Sequence, residues 1–85
     1  MEQNKKYRLS LLLMGRVQGV FFRDGAAREA NRLGLICESK NNPDGTLSIV
    51  AEGARGALEI FKAWCTRGPD LADVKDIKLE WQECN

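Results

Sequence analysis

The sequence predicts an α+β fold in which a four-stranded antiparallel sheet carries two helices on one face. Three observations predict it. Segments of two-residue and helical periodicity alternate in the order β-α-β-β-α-β. The run Asn42-Pro43-Asp44-Gly45 is hairpin chemistry placed between the two middle strands. And 85 residues make one domain, spanning 1–85, with room for one layer of each element.

From Tyr7 to Met14 the odd positions Tyr7, Leu9, Leu11 and Leu13 are apolar. The even ones pass from Arg8 and Ser10 to Leu12 and Met14, so a strand is expected whose second face becomes covered towards its end. A loop with two glycines, Gly15–Gly19, leads into a helix marked by Phe22, Ala26, Ala30 and Leu33, with Gly34 as its stop. Leu35–Asn41 and Thr46–Ala51 read as the two arms of the hairpin. Ala54, Ala57, Leu58, Phe61 and Cys65 mark a second amphipathic helix, ended by Gly68-Pro69. Val74, Ile77, Leu79 and Trp81 close the chain as a fourth strand whose alternation is imperfect between Val74 and Ile77. Two split βαβ units of this kind give the ferredoxin-like arrangement, which hosts many unrelated activities.

Composition narrows the function classes. Thirteen basic against twelve acidic residues leave a net charge of +1, so no broad basic footprint for nucleic acid or anionic lipid exists and any anion site must be local. Thr46–Ala51 also lacks the stacking aromatics of an RNA-recognition sheet. Cys37, Cys65 and Cys84 are odd in number and without CxxC spacing, and the chain has no histidine. Free thiols in a reducing compartment follow, with neither a disulfide framework nor a zinc site. No carboxylate cluster has metal-ligand spacing, so neither metal nor cofactor is expected. The polar start Met1–Arg8 has no apolar run behind it for a leader or a membrane span, and a cytoplasmic location is expected.

The segment Gly15-Arg16-Val17-Gln18-Gly19-Val20-Phe21-Phe22-Arg23 joins a strand to a helix. Backbone N–H groups in such a loop can turn inward as an anion-binding nest, strengthened by the positive end of the helix. Glycines at 15 and 19 permit tight curvature and close approach of an oxygen, or serve steric needs alone. The spacing is neither that of a Walker A loop nor of a GxGxxG dinucleotide fingerprint. Arg23 is a cation in a first helical turn, where it opposes the helix dipole. It either pairs with the neighbouring Asp24 at the surface or converges with the loop amides on one phosphate dianion, binding two of its oxygens. Asn41 precedes the turn, where asparagine is most often turn chemistry. Yet Asn42 and Asp44 already fill that role, and Asn41 shares a strand face with Cys37 and Ser39.

Gly15–Arg23 resembles the acylphosphatase signature G-x-V-Q-G-V-x-F-R at every specified position, and Asn41-Asn42-Pro43-Asp44-Gly45 meets the family's asparagine, two residues, Asp-Gly pattern. The likeness continues through Val50-Ala51-Glu52-Gly53 and Gly68-Pro69 to Trp81. The resemblance implies a hydrolase of small-molecule acyl phosphates, acting as a monomer. In it Arg23 binds the phosphate, the amides of Arg16, Val17, Gln18, Gly19, Val20, Phe21 and Phe22 complete the cradle, and Asn41 holds the attacking water. The family commonly has glycine, often followed by tryptophan, at Cys37-Glu38, an apolar residue at Ser39 and glutamate at Ser48. These departures concern the packing and surface of the hairpin. The alternatives are a non-catalytic anion-binding module of the same fold and, disfavoured by an 85-residue chain with its own termini, a carbamoyl-phosphate-hydrolysing domain of a larger enzyme.

Overall fold

The computed structural model describes residues 5–84. Its elements run β1 (Lys6–Arg16), α1 (Phe22–Arg32), β2 (Ile36–Asn41), β3 (Leu47–Gly53), α2 (Arg55–Arg67) and β4 (Asp73–Cys84). The sheet order is β2-β3-β1-β4 with every neighbouring pair antiparallel. The expected order and topology are those found. No helix among the described residues is long and apolar enough to cross a membrane.

The two-residue period of β1 explains the core. Leu9, Leu11 and Leu13 face the helices and are buried, as are Leu47, Ile49 and Ala51 opposite them on β3. Phe22, Ala26 and Ala30 of α1 and Leu58, Phe61 and Cys65 of α2 close over that face. Fully burying a Leu or Phe side chain contributes roughly 1.5–3 kcal/mol, so this one layer holds the sheet and both helices together. Phe22 meets Trp64 edge to face at 5.5 Å, which locks the start of α1 against α2.

Two expectations are corrected. Leu12 and Met14 are only half-buried, because both helices lie on the other side; the second face of β1 stays open to its end. Gly15 and Arg16 belong to β1 rather than to the loop. The reason lies in β4, where Met14 pairs with Asp76 but Gly15 pairs with Val74, leaving Lys75 as an extra residue in a bulge. The bulge accounts for the broken alternation between Val74 and Ile77. It also accounts for Gly15: a Cβ there would stand 2.3 Å from the Asp73 carbonyl oxygen. The close approach that requires this glycine is a neighbouring strand, not a ligand.

The register Leu13↔Leu47 sets the start of β3 beside the end of β1. The β1–α1 loop and the β2–β3 turn therefore emerge at the same end of the sheet.

Candidate active site

Between β1 and α1 the loop alternates buried and exposed side chains. Val17, Val20 and Phe22 sink into the core, while Gly19, Phe21 and Arg23 remain outside. Three apolar pegs thus hold the loop down at short intervals, and the backbone between them must curve sharply. Gly19 has φ +72° and Phe21 φ +65°, the left-handed region on alternate residues that lets successive N–H groups face one point. An L side chain in that conformation costs roughly 1–2 kcal/mol, a cost Gly19 avoids and Phe21 bears.

Phe21 is also the N-cap of α1, and no side chain caps the helix there. The first helical bond runs from the Gly25 N–H to the Phe21 carbonyl at 3.0 Å, so the N–H groups of Phe22, Arg23 and Asp24 precede it. Asp24, the acid of this first turn, does not fill the gap, because its carboxylate accepts from Arg28 one turn on at 2.9 Å. A helix N-terminus with its donors unclaimed attracts an anion.

Arg23 is exposed and, among the described residues, joins no ion pair. The surface partner that the sequence allows it, Asp24, is taken by Arg28. What remains is a guanidinium at the positive end of a helix with no ion-pair partner among the described residues.

The hairpin turn is closed without Asn41. The Asn42 N–H donates to the Thr46 carbonyl at 2.9 Å, and the Gly45 N–H donates to the Asn42 carbonyl at 3.0 Å. The Asn42 amide donates to Thr46 Oγ1 and Ser48 Oγ, and both the backbone and hydroxyl of Thr46 donate to Asp44 Oδ1. Those two bonds hold the Asp44 carboxyl below the usual carboxylate range. Ser48, which departs from the family pattern, thus anchors Asn42. None of these bonds uses the Asn41 side chain, which sits exposed at the end of β2 on the helix side of the sheet.

The loop and the hairpin meet in one cleft of about 320 Å³, lined by Val17, Gly19, Phe21, Phe22, Arg23, Asp24 and Asn41. Of the loop residues expected at a phosphate, Arg16, Gln18 and Val20 do not line it. Arg16 ends β1 opposite Asp73, and Val20 is a buried peg. Gln18 acts differently. Its Nε2 donates to the Asn42 carbonyl at 2.8 Å and to the Thr46 carbonyl at 2.9 Å. It is a strut that fixes the loop to the turn, and hence Arg23 relative to Asn41. Larger grooves of about 540 and 440 Å³ run over the open sheet face, but there Lys78 and Lys40 share the lining with Glu80 and Glu38, and neither groove is built on a helix N-terminus. The thiols lie elsewhere. Cys65 is in the core, where burial pushes its pKa far above the ordinary value, and burial likewise raises half-buried Cys37.

Known proteins share this sequence and geometry. The acylphosphatase family profile matches residues 9–85. An acylphosphatase of Methylococcus capsulatus is 49% identical over 72 residues, covering 85% of this chain and 78% of that protein. One of Thermus thermophilus is 45% identical over 76 residues, covering 89% and 86%. The crystal structure of acylphosphatase from Bacillus subtilis superposes with a TM-score of 0.86 at 34% identity, over 89% of this chain and 84% of that one. With a signature that matches at every specified position and a family likeness that spans nearly its whole length, the chain belongs to the acylphosphatase family.

Proposed function

We propose that this protein hydrolyses acyl phosphates in the cytoplasm, with Arg23 and the loop amides holding the phosphate and Asn41 holding the water. One observation carries the reading: an arginine that, among the described residues, has no ion-pair partner and an asparagine without a turn bond line the same cleft as a helix N-terminus that no side chain caps. An acyl phosphate R–CO–OPO₃²⁻ loses a carboxylate that is stable at neutral pH, so the departing oxygen needs no proton. The barrier that remains is geometric and electrostatic. Water attacks phosphorus, the bond from phosphorus to the acyl oxygen breaks, and the products are R–COO⁻ and H₂PO₄⁻, the phosphate keeping both protons of the water. Arg23 and the N–H groups of the first turn stabilise the equatorial oxygens as charge spreads over them. Asn41, whose carboxamide both donates and accepts, orients the water in line.

The experiment is a substrate panel on the purified protein. Acetyl and benzoyl phosphate turn over readily, a stable alkyl phosphate monoester is nearly inert, EDTA leaves the rate unchanged, and turnover is flat between roughly pH 5 and 8. An alkyl monoester hydrolysed as fast as acetyl phosphate would sink this mechanism. Tight phosphate binding without turnover of either acyl phosphate would make the protein an anion-binding module instead.

A further inference from the structure

We propose that the Phe21 ring is the acyl-binding wall of the cleft and makes the protein select acyl phosphates whose acyl group is aromatic or otherwise bulky and apolar. The inference rests on the acyl phosphate reading above and adds the part of the substrate that reading leaves open.

Phe21 is 71% exposed although it is flanked by buried residues on both sides. Its backbone is left-handed, at φ 65° and ψ 25°, where glycine or asparagine serves at less cost. Neither the core nor the turn therefore explains a phenylalanine at this point. Strain of this kind, held by the surrounding structure, clusters at ligand sites. Here the residue lines the cleft that contains Arg23 and Asn41.

Elimination among the lining residues gives the ring its role. Val17 and Phe22 are buried and Gly19 has no side chain, while Arg23, Asp24 and Asn41 are polar. Phe21 alone brings free apolar surface to the cleft. In-line displacement places the acyl group across phosphorus from the water, outside the amide cradle. A ring at the rim meets it there, by stacking on an aromatic acyl group or by covering an aliphatic one. A methyl group such as that of acetyl phosphate offers too little surface to gain from the contact.

The test compares kcat/KM for benzoyl phosphate with that for acetyl phosphate in the wild type, Phe21→Ala, Phe21→Leu and Phe21→Tyr. The change in this ratio from wild type to variant cancels the intrinsic reactivity of the substrates and any common effect transmitted through the loop backbone. Phe21→Ala lowers the benzoyl-to-acetyl ratio about 5- to 10-fold, mainly through a higher KM for benzoyl phosphate, and Phe21→Tyr retains it. If circular dichroism shows the alanine variant unfolded, Phe21→Leu takes its place and gives an intermediate ratio. A folded Ala or Leu variant that hydrolyses both substrates at the wild-type ratio overturns this proposal and leaves the parent reading intact. A wild-type protein that hydrolyses neither removes both.

Discussion

Where β1 starts, Arg8 crosses the open face to Glu52 at 2.6 Å and reaches Gln82 at 3.3 Å. On the other face at the same end, Arg55 lies 3.7 Å from the centre of the Trp81 ring and bonds Glu59 at 3.1 Å. Where β1 stops, Arg23 pairs with no carboxylate and no ring among the described residues, and no side chain caps α1. Arg8 and Arg55 are thus paired at one end, while at the other Arg23, like Arg16 and Arg67, joins no ion pair among the described residues. The satisfied end follows from stability alone. A cation at a helix N-terminus is unfavourable for the free protein, and on the proposed function the bound phosphate would offset that cost.

Removing the unsatisfied groups has the largest expected effect. Arg23→Ala lowers turnover of acetyl phosphate by about 100- to 1,000-fold and weakens binding of inorganic phosphate. Its melting temperature stays at or above wild type, because a cation opposing the helix dipole is gone. Arg23→Lys recovers little, since a point charge cannot reproduce a planar two-oxygen contact. Asn41→Ala lowers turnover by about 100-fold while phosphate affinity stays near wild type. Phosphate titration, kinetics and thermal melts on the three variants decide it. An Arg23→Ala protein that melts well below wild type would show the arginine to be structural.

Much of this contrast is already visible in the residue order. The two-residue period of β1, the helical periods and the hairpin turn suffice for the topology, because each follows from local geometry. The partner of Asp24 is legible as well. Residues 23 and 24 point to different sides of a helix, whereas 24 and 28 are neighbours on its surface, so spacing alone hands the carboxylate to Arg28 and frees Arg23. Asn41 is harder. Its release from the turn depends on Asn42 finding Thr46 and Ser48, which lie across the hairpin. The bulge at Lys75 leaves only the broken alternation between Val74 and Ile77 as a local trace; its partner is hidden, since a bulge is a mismatch between two strands and Gly15 reads like any loop glycine. The Gln18 strut is invisible for the same reason: its acceptors are 24 and 28 residues away. The signature contains this glutamine, but only the packed loop shows what its amide does.

That strut links the two halves of the cleft and supplies a finer test. Gln18→Leu keeps the volume and removes both donated bonds. The two carbonyls keep their turn partners, Gly45 and Asn42, so nothing is left buried and unpaired. The cost is therefore positional. Turnover falls by about 10-fold as Asn41 and its water drift from the line of attack, while phosphate affinity stays near wild type because Arg23 and the amides remain on the loop. Gln18→Glu is worse than Gln18→Leu, because a carboxylate then faces two carbonyl oxygens. Equal losses in turnover and phosphate affinity would mean that the loop itself has collapsed.

The smallest effect belongs to the satisfied end and completes the contrast. Arg55 stacks on Trp81 and stands 5.4 Å from the Tyr7 ring, tying the start of α2 to β1 and β4. Arg55→Ala removes a cation–π contact worth about 0.5–1 kcal/mol at an exposed site. For a domain of this size that is a fall in melting temperature of roughly 2–8 °C. The removed charge also opposes the α2 dipole, which offsets part of the loss and favours the lower end of that range. Turnover of acetyl phosphate stays within about twofold of wild type, because the residue lies at the other end of the sheet from the cleft. Arg55→Lys keeps the charge and loses the planar stack, so it falls between the two. Thermal melts and kcat/KM on both variants make the check. A folded Arg55→Ala protein with turnover reduced about fivefold or more would mean that the two ends are coupled through β1, and the division between them would have to be abandoned.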